Sequence, residues 1–247
     1  MEWSDDAIVL AMRPHGETSA ILDVLTQSHG RHLGMVRGGG SRRAKPALQA
    51  GNSLHVSWRA RLSEHLGNFH VEPLRARAGV LFESRDRLIG LNAFAAMAQL
   101  VLPERQPHRP VYEAGEILLD AMLDDGFSHW APLYVRWETG LLEELGFGLD
   151  LSRCAATGTV EDLRYVSPKS GRAVSGAAGA PYRDRLFPLP RFLLGAQNGL
   201  PDLVEIAAGL RMTAHFLLER ALRPNGRELP AARQRLEALA SQQTESD

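Results

Sequence analysis

Short apolar runs separated by glycine- and proline-rich joints make up the first third of the chain. Five of them have the length and composition of β-strands, and they lie at 7–12, 20–25, 32–36, 53–58 and 68–71. Five short strands so close together predict a closed barrel, because a small open sheet would leave unpaired edges. An OB-fold is the expected barrel, and an SH3-like barrel is the alternative that the pattern does not separate from it.

From residue 81 onward the apolar positions recur every three or four residues, which is typical of amphipathic helices. This spacing predicts helices at 81–102, 111–123, 128–145, 201–222 and 229–240, followed by a frayed tail. Trp130 and Trp137 share the apolar stripe of the third helix, so we expect both to pack in a core. Residues 148–192 are rich in Gly, Ser, Ala and Pro, which indicates a loop-rich insert.

These elements predict an α+β protein with two domains. Residues 1–79 would form an OB-fold domain that binds nucleic acid, and residues 80–247 an α-helical domain with the insert at about 148–192. A chain of 247 residues, 44% of them apolar, can bury a sizeable core. No apolar run of about 18 residues is present and the start is acidic, unlike a signal peptide, so we expect a cytoplasmic protein without a membrane partner.

The sequence contains no motif that nominates a catalytic reaction. It lacks a glycine-rich phosphate loop ending in Lys-Ser/Thr, a Gly-x-Ser-x-Gly elbow and a His-Glu-x-x-His pair. Cys154 is the only cysteine, which excludes an intramolecular disulfide and a cysteine-built zinc cluster. His29 and His32 are neighbours without a third ligand, which is too few for a zinc site. We therefore expect no catalytic residue, no bound metal and no cofactor.

Positive charge is concentrated in the predicted barrel, although the net charge of the chain is only −1. Residues 24–63 contain no Asp or Glu, whereas the average composition predicts about five. The same window holds seven cations, which are Arg31, Arg37, Arg42, Arg43, Lys45, Arg59 and Arg61. These seven are the predicted DNA-binding residues, because a positive groove on a small barrel follows a phosphate backbone. Arg59 and Arg61 are expected on one strand face with Trp58 on the other, and Phe69 or an exposed His is a candidate stacking face.

Several segments resemble the RecO family of bacterial recombination mediators. Residues 15–31, HGETSAILDVLTQSHGR, contain its Gly-Glu turn, an apolar strand and a Leu-Thr-x-x-x-Gly sequence. The glycine- and arginine-rich joint at 36–43, VRGGGSRR, follows in the expected place. The most recognisable helical stretch is 132–147, PLYVRWETGLLEELGF. The similarity covers nearly the whole chain.

The resemblance implies an N-terminal OB-fold, a helical domain and a zinc-finger-like insert. It also implies a non-enzymatic protein that binds single- and double-stranded DNA and anneals complementary strands. The implied partners are RecR and the C-terminal tail of the single-stranded-DNA-binding protein SSB, and together they would help to load RecA. Many members carry two Cys-x-x-Cys pairs in the insert, but here the first reads CAAT at 154–157 and the second region, 171–178, has no cysteine. We therefore expect a degenerate insert without zinc.

Two other functions remain open from the residues alone. The chain could be an OB-fold protein that binds RNA, which a preference for RNA over a matched DNA strand would reveal. It could also be a protein-interaction scaffold whose helical domain carries the function, in which case it would show no affinity for nucleic acid at low salt.

Overall fold

The computed structural model describes residues 1–124, 126–195 and 199–246. The chain is α+β and forms two compact units, Met1–Asp124 and Asp125–Asp247. The first unit contains five strands followed by three helices, and the second contains helices around a small three-stranded sheet. Within the described ranges, no helix is both long enough and apolar enough to cross a membrane.

The five predicted strands are confirmed and close into a barrel. They are β1 (Glu2–His15), β2 (Ser19–Thr26), β3 (Gly30–Val36), β4 (Ser53–Arg59) and β5 (Asn68–Arg75). Their order around the barrel is β1-β2-β3-β5-β4, and β4 pairs back onto β1. The crossover that puts β5 between β3 and β4 gives the Greek-key arrangement of an OB-fold, so the expected barrel is the one that forms.

The barrel interior follows from the alternation of buried and partly exposed residues along each strand. On β3 this alternation is strict over all seven residues, which matches a strand with one face on a core. Val24, Leu54 and Val56 are among the fully buried side chains, and each contributes about 1.5–3 kcal/mol by its removal from water. Leu48, in the loop between β3 and β4, is also fully buried in this core, so that loop is packed onto the barrel.

Three helices complete the first unit: α1 (Ala78–Glu83), α2 (Arg85–Val101) and α3 (Arg109–Asp124). The helix predicted at 81–102 is therefore interrupted, because Ser84 is extended with φ −114° and ψ 132°. Arg77, which is 1% exposed, connects β4 to α3. Its guanidinium donates to Ser53 Oγ at 2.6 Å, to Glu116 Oε2 at 2.7 Å and to Asp120 Oδ1 at 2.7 Å.

Three long helices dominate the second unit: α4 (Phe127–Glu144), α6 (Leu203–Phe216) and α7 (Ala231–Ser246). Trp130 and Trp137 are buried, which confirms their expected place in a core. The helix predicted from residue 201 begins two residues later, because the Asp202 carboxylate caps it by accepting from the Glu205 backbone N–H at 2.7 Å. It continues through a π-helical turn, Leu217–Leu222, and a 3-10 turn, Arg223–Asn225. The expected frayed tail is wrong in the described part, where α7 reaches Ser246.

The insert contains more regular structure than its composition predicts. It holds β6 (Leu163–Val166), β7 (Ala173–Ser175) and β8 (Phe187–Pro188), paired in the order β7-β6-β8. Its helical turns are α5 (Gly176–Gly179) and two 3-10 segments, Ala180–Arg185 and Arg191–Leu193. Strands of two to four residues are too short to show a period in sequence, which explains why the pattern indicated loops.

The insert does not offer a zinc site. Cys154, its one thiol, is buried, and its Sγ accepts a hydrogen bond from the Ser175 backbone N–H at 3.2 Å. Among the residues that the structure describes, no group of three His, Cys, Asp or Glu side chains could hold a metal ion. A single thiolate cannot supply the four ligands of a structural zinc, so the residues present do not fit this metal.

Candidate nucleic-acid interface

Four of the predicted DNA-binding residues lie on one ordered loop. Arg37, Arg42, Arg43 and Lys45 are all exposed, and they belong to the segment between β3 and β4. Turns fix the loop, since the Lys45 N–H donates to Ser41 O at 3.1 Å and the Gly40 N–H donates to Thr18 O at 2.8 Å. We call this segment, residues 37–52, the cationic loop. Its buried Leu48 holds the four cations on the barrel surface.

Arg59 and Arg61 form a second group at the end of β4. Arg59 is the last residue of the strand and is exposed, while Trp58 beside it points into the core with 2% exposure. Arg61 is also exposed but lies beyond the strand, in the loop to β5. The expected opposition of Arg59 and Trp58 is thus confirmed, whereas Arg61 is positioned by a loop and not by strand alternation.

Strand register connects the two groups. Met35 on β3 is paired with Asn68 on β5, and Asn68 is paired with Arg59 on β4. Adjacent strands lie about 4.8 Å apart, so the backbones at Met35 and Arg59 are separated by about 10 Å. Arg37 lies in the turn just after β3, so the register brings the start of the cationic loop near the end of β4.

None of these six cations forms an ion pair within the described ranges, and two acidic side chains of the same unit have other partners. The Glu64 carboxylate accepts from Ser63 Oγ at 3.1 Å, and Asp6 Oδ1 is 2.7 Å from His55 Nδ1. Glu2 is opposite Arg59 in the strand register, yet the two side chains form no ion pair. Exposed guanidinium and ammonium groups without a carboxylate partner are free to bind an external anion such as a phosphate.

Arg31 differs from the other six because its guanidinium is already occupied. Its Nε and Nη2 donate to the Asp23 carboxylate at 3.0 and 2.8 Å, and its Nη1 donates to Gln99 O at 2.8 Å. The side chain is only 15% exposed. Asp23 is the residue just before the acid-free window and lies diagonally across the β2–β3 hairpin, which is the sequence signal for this pair. We therefore leave Arg31 out of the candidate interface.

An aromatic cavity of about 520 Å³ opens on the same unit. Trp3, His29, His32 and Trp58 line it, together with Arg105. The rings of Trp3 and His29 are stacked, with centroids 4.1 Å apart and planes 6° from parallel. His29 is held by Asp5, whose Oδ2 lies 2.8 Å from His29 Nδ1. We call this space the aromatic cavity.

Sequence reasoning missed this cavity. The acidic start that contains Trp3 predicts no binding site. Of the two expected stacking faces, Phe69 is 4% exposed and belongs to the core, whereas His29, a histidine whose side chain is 36% exposed, stacks on Trp3. Trp3 and Asp5 are two residues apart on β1 and therefore share a strand face with Ala7, which was the available signal.

Arg105 forms one wall of the aromatic cavity in an unusual backbone conformation. Its φ of +64° lies in the left-handed region, which a side chain other than glycine rarely adopts. Its Nη2 donates to the carbonyl oxygens of Glu64 and His65 at 3.2 and 3.1 Å. Burial lowers the pKa of His32, a backbone hydrogen bond to Leu33 opposes that shift and the charge of Arg105 adds to it, so the His32 ring is neutral at pH 7.

Comparison with known proteins places both parts of the chain in one family. The family model for the recombination protein O N terminal matches residues 1–77, and that for its C terminal matches residues 83–228. The DNA repair protein RecO of Cereibacter sphaeroides is 54% identical over 241 residues, which cover 97% of this chain and 98% of the relative. That of Rhodospirillum rubrum is 51% identical over 238 residues, covering 95% and 94%. The chain therefore belongs to the RecO family of DNA repair and recombination proteins.

Proposed function

We propose that this chain is a DNA-binding recombination mediator that acts by binding and not by catalysis. The observation that supports it most is the set of six exposed cations, on the cationic loop and at the end of β4, that have no carboxylate partner in the part of the chain that the structure describes. They are Arg37, Arg42, Arg43, Lys45, Arg59 and Arg61. Side chains of this kind contact phosphates regardless of sequence, as a mediator acting on any damaged locus requires.

The same surface would bind single- and double-stranded DNA, because phosphates are common to both. Annealing follows from charge screening. Two complementary strands repel each other through their phosphates, and a strand whose phosphates contact the cationic loop presents less negative charge to its complement. The protein would thereby speed the encounter of the strands without taking part in base pairing.

The proposed setting follows from membership of the family. The chain would act in the cytoplasm on DNA that is coated with SSB, contact the C-terminal tail of SSB, and cooperate with RecR so that RecA can replace SSB. An acidic tail that ends in an apolar residue would need a cation beside an apolar cleft.

Strand annealing tests the function directly. Two labelled complementary strands, each precoated with SSB, are mixed with and without the protein, and duplex formation is followed by energy transfer between the labels. The protein is expected to accelerate annealing, and the acceleration should fall as salt is raised because the contacts are electrostatic. An annealing rate that the protein leaves unchanged would contradict the proposal.

A set of charge-reversal substitutions tests whether the acceleration of annealing depends on the barrel. Replacing Arg42, Arg43 and Lys45 by Glu should abolish most of the acceleration and weaken binding to strands of every sequence alike. The matched control replaces three exposed arginines of the second unit by Glu, namely Arg185, Arg211 and Arg235, which changes the net charge equally. An equal loss of annealing acceleration in both sets would show that only net charge matters. In a separate titration, tighter binding of a matched RNA strand than of DNA would favour an RNA-binding protein.

A further inference from the structure

We propose that the aromatic cavity takes one unstacked nucleobase of a bound single strand, an inference that rests on the proposed DNA binding. The cavity would convert a surface that holds phosphates into one that distinguishes single strands from duplex. The stacked rings, the cations at the cavity rim and the available volume each support this assignment.

The rings are arranged to extend an existing stack. Trp3 and His29 are already parallel at 4.1 Å, and Trp3 lies 5.7 Å from Trp58 with planes 21° apart. The imidazole of His29, which is 36% exposed, is the outer member of this stack. A planar base that joins the stack gains π-contact without any requirement for a particular sequence, because every base has the same kind of face.

The cavity is suited to a small planar molecule with polar edges. Its volume of about 520 Å³ lies within the range of about 300–1,000 Å³ usual for small-molecule sites. Aromatic walls provide apolar surface, while the Ser63 hydroxyl and the Arg105 guanidinium line the same space and provide polar groups for a base edge.

The segment that carries the second cation group passes the cavity. Arg61 lies between Trp58 and Ser63, which both line the cavity, whereas the Arg59 side chain is on the opposite face of β4 from Trp58. The amino group of Met1 donates to Ala60 O at 2.8 Å, so the start of the chain and this segment lie together at the rim. A base in the cavity would therefore have its own phosphates next to the segment that carries Arg61.

The expected preference for single strands over duplex DNA follows from how easily a base can enter the cavity. In a duplex each base is paired and stacked, and removing one from the stack costs a few kcal/mol before it can enter a pocket. For a base in a single strand this cost in free energy is small. The cationic loop would bind both forms, and the aromatic cavity would add affinity for the single strand only.

A comparison of strands with and without bases tests the inference. The probes are a dye-labelled oligothymidylate of about 16 nucleotides and a fully abasic strand with the same number of phosphates, and binding is followed by fluorescence anisotropy. The wild-type protein should bind oligothymidylate about 10-fold more tightly than the abasic strand. Trp3→Ala should bring the two affinities together by weakening binding to oligothymidylate alone, whereas Trp3→Phe, which keeps a stacking face, should retain most of the difference.

Phe82→Ala serves as the matched control, because Phe82 is an aromatic residue of the same unit that is 45% exposed and lies outside the cavity. It should leave both affinities unchanged. Should Trp3→Ala fail to fold, as judged by thermal unfolding, His29→Ala and the fluorescence of the wild-type protein provide the same information. Oligothymidylate should quench tryptophan fluorescence more than the abasic strand does, and Trp3→Phe should lose that quenching.

The possible outcomes distinguish a failure of the base-pocket inference from a failure of the proposed DNA-binding function. Equal affinity of the wild-type protein for both strands would overturn the base pocket and leave phosphate binding intact. An unchanged ratio in Trp3→Ala would also overturn it. If the wild-type protein bound neither strand at low salt, the proposed DNA-binding function itself would fail.

Discussion

Arginines of the barrel loops and the central arginine of the second unit have opposite surroundings. Arg42 and Arg43 are exposed and have no carboxylate partner in the described structure, whereas Arg233 on α7 is fully buried against Glu138 on α4. The Arg233 Nε donates to Glu138 Oε1 at 2.6 Å, and its Nη2 donates to Glu138 Oε2 at 2.9 Å and to Leu210 O at 2.6 Å. The role of an arginine is therefore decided by its partner and not by its presence in a basic stretch.

The same contrast exists inside the barrel unit. Arg31 and Arg77 are held by carboxylates of that unit, while Arg37 is exposed and unpaired in the described residues. A paired, buried guanidinium has already exchanged its water shell for protein oxygens and stabilises the fold. An exposed guanidinium keeps its water shell and can exchange it for a phosphate at little cost.

The largest effect is expected from breaking the buried pair. Arg233→Ala would leave the Glu138 carboxylate buried without its cationic partner, although Thr213 would still donate to it, and should lower the free energy of unfolding by about 3–5 kcal/mol. The free energy of unfolding is measured by urea denaturation, which is monitored by circular dichroism. Arg235→Ala, two residues away on the exposed side of α7, should change stability by less than about 0.5 kcal/mol. Equal free energies of unfolding for Arg233→Ala and Arg235→Ala would contradict a stabilising role of the Arg233–Glu138 pair.

A smaller loss of stability is expected at Arg31. Arg31→Ala would leave the mostly buried Asp23 carboxylate without its cationic partner, although the Gln99 amide would still donate to it, and should lower the free energy of unfolding by about 2–3 kcal/mol. Affinity of the folded protein for a single strand should be unchanged. Arg37→Ala should show the reverse, with unchanged stability and weaker DNA binding. If Arg31→Ala weakened DNA binding without lowering stability, Arg31 would belong to the interface after all.

Single substitutions at the end of β4 should have a modest effect on affinity. Arg59→Ala is expected to weaken binding to all sequences alike and to reduce the salt slope by about 0.7, the value for one phosphate of a single strand. Titrations at several salt concentrations measure this slope. Loss of affinity for some sequences only would indicate readout of base edges and contradict a contact with the phosphate backbone.

The smallest effect is expected at Asp120. Its side chain is 39% exposed, so its burial is intermediate between that of the buried ion pairs and that of the exposed cations. Burial alone would raise the pKa of its carboxyl, but hydrogen bonds from Arg77 and Arg75 hold that pKa below its usual value. A depressed pKa contributes stability that is present above the unfolded-state pKa, near 4, and is lost as pH falls through the folded-state pKa. Asp120→Asn should therefore cost at most about 1 kcal/mol at pH 7, since solvent screens the pair, and should cost progressively less below pH 4. A pH-independent difference would contradict this cause.

Much of the architecture could be predicted because its signals are local. The five barrel strands and the buried tryptophans of α4 follow from runs and periods of apolar residues. The break at Ser84 and the short strands of the insert could not. The apolar spacing continues across Ser84, and strands of two to four residues are too short to show a period. The six exposed cations were found from composition, whereas the Arg31–Asp23 pair and the aromatic cavity require knowledge of which strands are neighbours.

The salt dependence of single-strand binding tests the central claim most directly. Three to five phosphate contacts predict a slope of log K against log salt between about −2 and −3.5 for the wild-type protein. Replacing Arg42, Arg43 and Lys45 by Ala should flatten this slope by about 0.7 for each cation that contacts a phosphate, while the same replacement at Arg185, Arg211 and Arg235 should leave it unchanged. Identical slopes for the wild-type protein and the loop variant would show that the cationic loop does not hold the strand.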